Sequence, residues 1–343
     1  MSLPEVINGW FTVAFSRDVP PGRIRVLRFM DRRIVLYRTQ SGRVVALEET
    51  CSHLSTSFRH IGNVQGERLV CPEHGLSFDP AGVCTHLADG TILADRARRS
   101  FEVYEQRHEG LGIIWLWHHH EGTGPTWHLP RWDEPGWGRA HPALFRLRGA
   151  PQDVLENGCD LGHFECIHGA ADVQASKLHT VEHHLTLEVR MGAPARMMLR
   201  GAEVTHATLR IGFYGLGLSF VESYVPSLGA RMRSYVAPTP LGGGKMAVRC
   251  WIVVQEPAEV AARLPVIGML LPRALGKPLM ERLTHQVFVN DFRKDLPFLE
   301  DRRYLTRPAL GRRDLYIGPF RKWARQFYPP DLLPQRAGAS RVA

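Results

Sequence analysis

The sequence lacks the long apolar runs and the leader that mark membrane-spanning and secreted proteins. No uninterrupted apolar stretch approaches the roughly 18 residues of a membrane span, and the opening MSLPEVINGWFTVAF has no basic and apolar signal region. The six cysteines do not form the framework of paired spacings that secreted domains use. We therefore expect a reduced, cytoplasmic protein without a membrane span.

Signatures of nucleotide and nucleic-acid binding are also missing. No G-x-G-x-x-G follows a strand pattern, so we expect no dinucleotide-binding domain in the chain. The formal net charge is +9, but the basic residues are scattered and no recognition motif or aromatic-interleaved basic stripe accompanies them. We therefore expect no nucleic-acid partner. The charge favours a solvated basic surface, with docking of an acidic electron donor as the second interpretation.

The pattern that is present divides the chain into two parts. At 343 residues the chain is long enough for two domains. Short β-type runs come first, then the Gly-, Pro- and Trp-rich connector EGTGPTWHLPRWDEPGWG, and then longer alternating strands flanked by helical segments. We predict an all-β domain at residues 1–125, a connector at 126–150 and an α+β domain with an antiparallel sheet at 151–343.

Two short arms of metal-ligand residues lie in the first part. Cys51-x-His53 and Cys71-Pro-Glu-His74 each combine one thiolate with one imidazole, and seventeen residues separate the arms. Zinc accepts such ligands, but zinc fingers usually pair cysteines in one arm and histidines in the other. A Rieske [2Fe–2S] cluster has two Cys on one iron and two His on the other, which suits mixed arms. The spacing favours the cluster, with zinc as the alternative.

A second group of ligand-type residues opens the second part, in DVLENGCDLGHFECIHGA. His163 and His168 are five residues apart, close to one face of a predicted helix, and Asp160 precedes His163 by three residues. Two His and one carboxylate with open coordination positions form the ligand set of non-heme Fe(II) that activates oxygen. The pattern indicates a candidate iron site whose third ligand need not be local.

Together the two groups resemble the Rieske non-heme iron oxygenases over nearly the whole chain. The family pattern Asn-x-x-Asp-x-x-His-x₄-His matches Asn157, Asp160, His163 and His168 without a gap. The resemblance implies that His163 and His168 bind the iron. It also implies that Asn157 and Asp160 are catalytic, and that Asp160 bridges a cluster histidine of one subunit to an iron-binding histidine of the next.

The third iron ligand is expected in HQVFVNDFRKDLPFLEDRRYLTRP, which offers Asp291 and Asp295, four residues apart and so on one predicted helix face. This segment resembles the end of the 3-ketosteroid 9α-hydroxylase oxygenases and cholesterol 7-desaturases. Aligning Tyr304-x-x-Arg-Pro308 with that branch implies that Asp295 is the ligand. The chain departs from the usual acidic and aromatic residues of the branch at Lys294 and Leu299. Asp291 therefore remains the alternative ligand.

The resemblance also implies the cofactors and the partners. Cys51, His53, Cys71 and His74 would hold a [2Fe–2S] cluster, and the triad would hold a mononuclear Fe(II) with O2 as co-substrate. Electrons would come from NAD(P)H through a separate ferredoxin reductase and, in some systems, a ferredoxin. The family's subunits join head to tail, so a homotrimer is expected.

The implied fold is α+β: a Rieske β-domain followed by a helix-grip catalytic domain, in which a curved antiparallel sheet wraps a long helix. The implied activity is hydroxylation or desaturation of a bulky apolar substrate such as a steroid. Related enzymes tailor natural products by O-demethylation, N-oxygenation or oxidative cyclisation, which is the alternative activity. An electron-transfer protein with a Rieske cluster and no mononuclear iron is the alternative from another class.

Overall fold

A computed structural model describes residues 3–86, 89–132, 134–192, 206–226, 230–255 and 273–333. The sequence EVTHATLRIGF has a strand pattern from Glu203; its residues 203–205 lie outside these ranges, and the described strand begins at Ala207. Within the same ranges, no helix combines the length and the apolar character that crossing a bilayer requires.

The N-terminal part consists of small antiparallel sheets. Its strands are β1 (Gly9–Phe15), β2 (Ile24–Phe29), β3 (Arg32–Arg38), β4 (Val44–Glu48), β5 (Asn63–Gln65), β6 (Arg68–Cys71), β7 (Leu76–Phe78), β8 (Cys84–His86), β9 (Ser100–Phe101), β10 (Val103–His108) and β11 (Leu111–His118). They form sheets of order β1-β11-β10, β2-β3-β4-β9 and β5-β6-β7-β8. Both predicted cluster arms flank the last two sheets, since one follows β4 and the other begins at the end of β6.

One large antiparallel sheet dominates the C-terminal part. Its strands are β12 (His141–Arg148), β13 (Ala171–Ala175), β14 (His179–Val181), β15 (His184–Gly192), β16 (Ala207–Tyr214), β17 (Leu218–Val225), β18 (Ala230–Gly242) and β19 (Lys245–Gln255). The order is β12-β19-β18-β17-β16-β15-β13, with β14 beside β15. The β18–β19 turn is made by Gly243 and Gly244 at φ of 63° and 67°, the left-handed backbone that tight hairpins need.

The described α-helices are short except one: α1 (Phe58–Ile61), α2 (Pro151–Glu156), α3 (Leu161–Cys166), α4 (Arg273–Arg293), α5 (Leu296–Asp301) and α6 (Ile317–Ala324). The long helix α4 packs on the β12 side of the large sheet, where the rings of Phe145 and Phe292 are 4.9 Å apart. Its buried Glu281 accepts a hydrogen bond from the Arg139 amide at 3.1 Å. A long helix on an antiparallel sheet, after small β-sheets, confirms the predicted α+β fold.

Hydrophobic packing joins the two parts. One cluster of buried side chains includes Phe11 from β1 and Phe213 from β16, and another includes Trp115 from β11 and Trp251 from β19. A third cluster, which contains Cys51 and Cys71, draws its buried residues only from positions 35–84. The cluster-arm region therefore has a core of its own, whereas β1 and β11 share theirs with the large sheet.

Arg249 links β1 to the large sheet by hydrogen bonds. The pairing of β1 with β11 shifts register between Thr12 and Ala14. Two carbonyls at this irregularity accept from the Arg249 guanidinium, Thr12 O at 2.8 Å and Val13 O at 2.5 Å. Burial lowers the pKa of Arg249 to about 9, which leaves the side chain charged at neutral pH. The Thr12 carbonyl also accepts from the Thr239 hydroxyl at 2.6 Å, so the buried irregularity is paired with both β18 and β19.

Candidate functional site: two groups of metal-ligand side chains

The two predicted cluster arms are loop tips of the same construction. In each loop the amide four residues after the cysteine donates to the cysteine carbonyl, Ser55 N to Cys51 O at 3.0 Å and Gly75 N to Cys71 O at 3.1 Å. The donors have positive φ of 58° for Ser55 and 68° for Gly75, which closes each turn tightly. Each turn keeps its cysteine and its histidine within one short loop.

The side chains of the two arms meet in pairs, histidine with histidine and cysteine with cysteine. The rings of His53 and His74 lie edge to face with centroids 4.2 Å apart. Cys51 and Cys71 are buried, and burial, together with a hydrogen bond between the two side chains, raises the pKa of Cys51 to about 11. His53 Nδ1 is buried without a hydrogen-bond partner among the described residues.

These features fit a [2Fe–2S] cluster. Two neighbouring thiols are costly to ionise when buried, but a metal ion stabilises thiolates and displaces their protons. An imidazole nitrogen buried without a partner also costs free energy unless a ligand occupies it. The residues present therefore suit a group that takes two sulfur and two nitrogen ligands.

The second predicted site lies where the chain turns back after α3. Asp160 is the N-cap of α3, and its Oδ1 accepts from the His163 amide at 3.0 Å. The helix ends before His168, and the Ala170 amide donates to Phe164 O at 3.0 Å to close the turn. The expectation that both histidines share one helix face is therefore wrong. The return turn nevertheless places their rings 4.7 Å apart.

Asp295 comes to this site from a break between α4 and α5. Helix α4 ends at Arg293, Lys294 and Asp295 form a turn, and α5 begins at Leu296. The expectation that Asp291 and Asp295 lie on one helix face is wrong, because the helix is interrupted between them. The interruption turns the two carboxylates to different sides of His168.

Apolar packing fixes the position of this break. Phe292 and Leu299, which flank Asp295 in sequence, are 8% and 1% exposed. Both belong to a cluster with Val154 of α2, the helix that leads into the histidine motif. Burying a large apolar side chain contributes about 1.5 to 3 kcal/mol, so this cluster helps to hold the two segments together.

Three ligand atoms meet at the centre of the site. His163 Nε2 and His168 Nε2 are 2.9 Å apart, and Asp295 Oδ1 is 3.3 Å from the first and 3.5 Å from the second. Asp295 is 6% exposed, and its Oδ1 is buried without a hydrogen-bond partner in the described part of the chain. Atoms this close can all lie about 2.1 Å from one ion, a usual length for nitrogen and oxygen ligands. The arrangement suits a mononuclear iron held on one face.

Asp291 contacts the opposite nitrogen of one histidine. Its Oδ2 is 3.0 Å from His168 Nδ1, and its Oδ1 contacts Lys294 Nζ. Burial raises the pKa of Asp291, but His168 and Lys294 outweigh burial and lower the pKa below its usual value. Asp291 is therefore not among the three converging ligand side chains.

A buried ion-pair network holds the segment that leads into the histidine motif. Glu156 is fully buried, and its carboxylate accepts from Arg321 Nε at 2.6 Å and from Arg302 Nη2 at 2.9 Å. Arg302 Nη1 also donates to Asn157 Oδ1 at 2.8 Å. The predicted catalytic Asn157 thus contacts Arg302. Sequence reasoning missed Glu156 and its partners, because a single Glu beside a motif and two arginines among many carry no distinguishing signal.

Two families of known domains match the chain. Residues 9–92 match the Rieske [2Fe-2S] domain, and residues 116–328 match the 3-ketosteroid 9alpha-hydroxylase C-terminal domain. Among curated relatives, cholesterol 7-desaturase nvd from Bombyx mori is 23% identical over 346 residues, covering 95% of this chain and 70% of the relative.

Solved structures share the fold over nearly the whole chain. Apo dicamba monooxygenase has a TM-score of 0.68 at 18% identity and is matched over 95% of this chain and 97% of its own. Pseudomonas putida CBB5 NdmB has a TM-score of 0.70 at 18% identity, over 94% of this chain and 93% of its own. At such identities the likeness shows the fold alone.

Proposed function

Because the chain belongs to the Rieske oxygenases that have a 3-ketosteroid 9alpha-hydroxylase C-terminal domain, we propose that it oxidises a bulky apolar, steroid-like substrate. Enzymes of this family are monooxygenases or desaturases with a [2Fe–2S] cluster and a mononuclear iron, and they use O2 and reductase-derived electrons. The predicted alternative of an electron-transfer protein is set aside by this membership.

The geometry supports a role for each ligand-type side chain. Cys51 and Cys71 would hold one cluster iron and His53 and His74 the other. The mononuclear iron would be held by His163, His168 and Asp295. When bound, the cluster relays single electrons and the mononuclear iron activates O2 at its open positions.

The protein's own groups set the conditions for that chemistry. Asp295 would supply a negative charge opposite two nitrogen ligands, and its burial would keep water from that side of a bound metal. Phe292 and Leu299 restrain the Asp295 turn, so the carboxylate is positioned before any metal binds.

The substrate class is supported by the C-terminal half. The three proposed iron ligands, whose ligand atoms lie within 4.8 Å of one another, fall inside the region matched by the steroid hydroxylase domain. Relatives over 95% of the chain are named cholesterol 7-desaturases. The match of this region to the steroid hydroxylase domain carries the substrate class, and the convergence of His163, His168 and Asp295 within it carries the iron-dependent oxidation.

Product analysis tests the substrate class. The purified protein, a surrogate ferredoxin and reductase, and NADH would be offered sterols, 3-ketosteroids and small polar aromatic acids separately. We expect a product that gains one oxygen atom or loses two hydrogens from a steroid-type compound only, because NADH supplies the two electrons that complete the reduction of O2. Turnover of aromatic acids without turnover of steroids would contradict the substrate class.

We also propose a head-to-tail homotrimer in which Asp160 bridges a cluster histidine of one subunit to an iron ligand of the next. The family resemblance supports this arrangement, and in this chain Asp160 lies beside the backbone of a proposed iron ligand. Its carboxylate is half-buried and lies directly at the amide of His163, at the start of α3. A carboxylate beside a metal-binding imidazole fixes that ring and offers a hydrogen-bonded path for an electron.

The variant Asp160→Asn should lose product formation by about 100-fold or more while it retains both metal centres. Asparagine is as good an N-cap as aspartate, so α3 and its histidine should remain in place, whereas the charge that orients two imidazoles is removed. Product yield, iron content and the cluster absorption would be measured together. Activity within a few-fold of the parent would refute the bridging role.

The domain limits and the electron donor are also part of the proposal. We propose a cluster domain at 1–125, a connector at 126–150 and a catalytic domain at 151–343, supported by the change of sheet between β11 and β12. A ferredoxin or a ferredoxin reductase is the proposed electron donor, which the basic net charge of +9 would favour if the donor is acidic. The cytoplasmic location stays a prediction from the sequence.

A further inference from the structure

The iron-site proposal does not explain the contact between Asp291 and His168 Nδ1, the ring nitrogen that faces away from the proposed metal. In a neutral imidazole only one ring nitrogen carries a proton, and only the other can bind a metal ion. His168 presents Nε2 to His163 and Asp295, and its buried Nδ1 lies 3.0 Å from Asp291 Oδ2, close but without the alignment of a hydrogen bond in the described residues. A carboxylate at Nδ1 stabilises the tautomer in which Nδ1 carries the proton and Nε2 is free for a metal.

The carboxylate of Asp291 is itself held at both oxygens. Oδ2 faces His168 and Oδ1 contacts the ammonium group of Lys294. The backbone reinforces this arrangement, because the Lys294 amide donates to Asp291 O at 3.1 Å in the turn that ends α4. Both oxygens of Asp291 are therefore engaged by groups outside the set of three converging ligand atoms.

We propose that Asp291 and Lys294 form a positioning pair that fixes the ring of His168 with Nε2 directed at the metal site. Asp291 acts on His168 directly, and Lys294 acts through Asp291 by fixing the rotation of its carboxylate. The inference rests on the proposed iron site, since it assigns a role to residues that do not themselves bind the metal.

Side-chain exposure agrees with a positioning role. The side chains of Asp291 and Lys294 are 42% and 36% exposed, whereas the side chain of Asp295 is 9% exposed. An ion pair this exposed contributes little to folding stability. Removing the pair should therefore lower the affinity for the metal and leave the thermal unfolding of the metal-free protein unchanged.

Cobalt(II) binding tests the pair without relying on turnover. The full-length protein, with its cluster intact and its mononuclear metal removed, would be titrated with Co(II) and followed by calorimetry and by the visible bands of bound Co(II). We expect Asp291→Asn to weaken Co(II) binding by about 10- to 100-fold, as is typical for partners of metal-binding histidines. Thermal unfolding of the metal-free form should stay unchanged.

Lys294 variants separate positioning from general electrostatics. Lys294→Met should weaken Co(II) binding, and Lys294→Arg should restore it, because a guanidinium can also hold the carboxylate. In the double variant Asp291→Asn, Lys294→Met the second change should add nothing, since Lys294 acts only through Asp291. The matched control is Arg293→Met, which removes a neighbouring cation that contacts Asn290 and should leave Co(II) affinity unchanged.

Several results would overturn the pair. Parent-like Co(II) affinity in Asp291→Asn would refute it, and so would fully additive losses in the double variant. If Arg293→Met loses as much Co(II) affinity as Lys294→Met, the effect comes from net charge and not from positioning. If Asp295→Ala also binds Co(II) like the parent, the iron-site proposal itself fails. If only Asp295→Ala loses Co(II) binding, the iron-site proposal is supported and the positioning pair is refuted.

Discussion

Replacing Asp295 with alanine should remove the mononuclear iron, leave the cluster intact and abolish turnover. The reason is geometric, because Asp295 supplies the only carboxylate oxygen that lies within 3.5 Å of both histidine Nε2 atoms among the described residues. Two neutral imidazoles without the carboxylate bind Fe(II) weakly and fail to fix its open positions. Iron content, cluster absorption and product yield would be measured on the same preparation.

Two further variants sharpen this result. Asp301→Ala removes an exposed carboxylate at the end of α5 and should keep the full iron content. Asp291→Ala should keep the metal at high iron concentration, although with weaker affinity. Complete loss of one iron from Asp291→Ala, with Asp295→Ala unaffected, would reverse the ligand assignment and the alignment that supports a steroid-like substrate.

Replacing Cys71 with serine should bleach the protein by removing the cluster. Serine is a poor ligand for iron in such clusters, and no other cysteine of the described arms can take its place beside Cys51. The cluster arms pack on a hydrophobic core drawn from residues 35–84, separate from the cores that the large sheet shares with β1 and β11. The C-terminal half should therefore remain folded and still bind Co(II).

Acid-labile sulfide, visible absorption and circular dichroism would measure the outcome for Cys71→Ser. The control is Cys166→Ser, which changes an exposed cysteine in α3 and should keep the cluster. A cluster that persists in Cys71→Ser would contradict the assignment of the arms. Global unfolding of the variant would contradict the separate core of the cluster region.

The sequence predicted those features that depend on local patterns. The alternating strands described between residues 184 and 255 formed the expected antiparallel sheet. The two cluster arms were recognisable because each holds a cysteine and a histidine within four residues. Family resemblance then supplied the order of the domains and the cofactors.

Local patterns could not locate the turns that assemble the iron site. A five-residue spacing predicted a shared helix face, but α3 ends at Cys166 and His168 is brought back by the turn that Gly169 allows at φ 72°. Similarly, a four-residue spacing predicted a shared face for Asp291 and Asp295, but α4 ends between them. Helix ends are the least certain part of a prediction from sequence, and here both iron-site segments depend on them.

Contacts between segments far apart in sequence could not be predicted from the sequence either. Asp291 and His168 are more than one hundred residues apart in sequence, and so are Glu156 and Arg302. Side-chain type and spacing do not encode such pairs, because they arise only when α2, α4 and the large sheet pack together. The positioning pair and the buried network around Glu156 therefore required the three-dimensional structure.

The central claim is that one chain holds a [2Fe–2S] cluster and a separate mononuclear iron, and elemental analysis with EPR tests it most directly. The account predicts about three irons and two acid-labile sulfides per chain, a rhombic signal from the reduced cluster, and loss of only the third iron in Asp295→Ala. Zinc as the main metal, or two irons with sulfide and no third iron in a fully loaded sample, would contradict it.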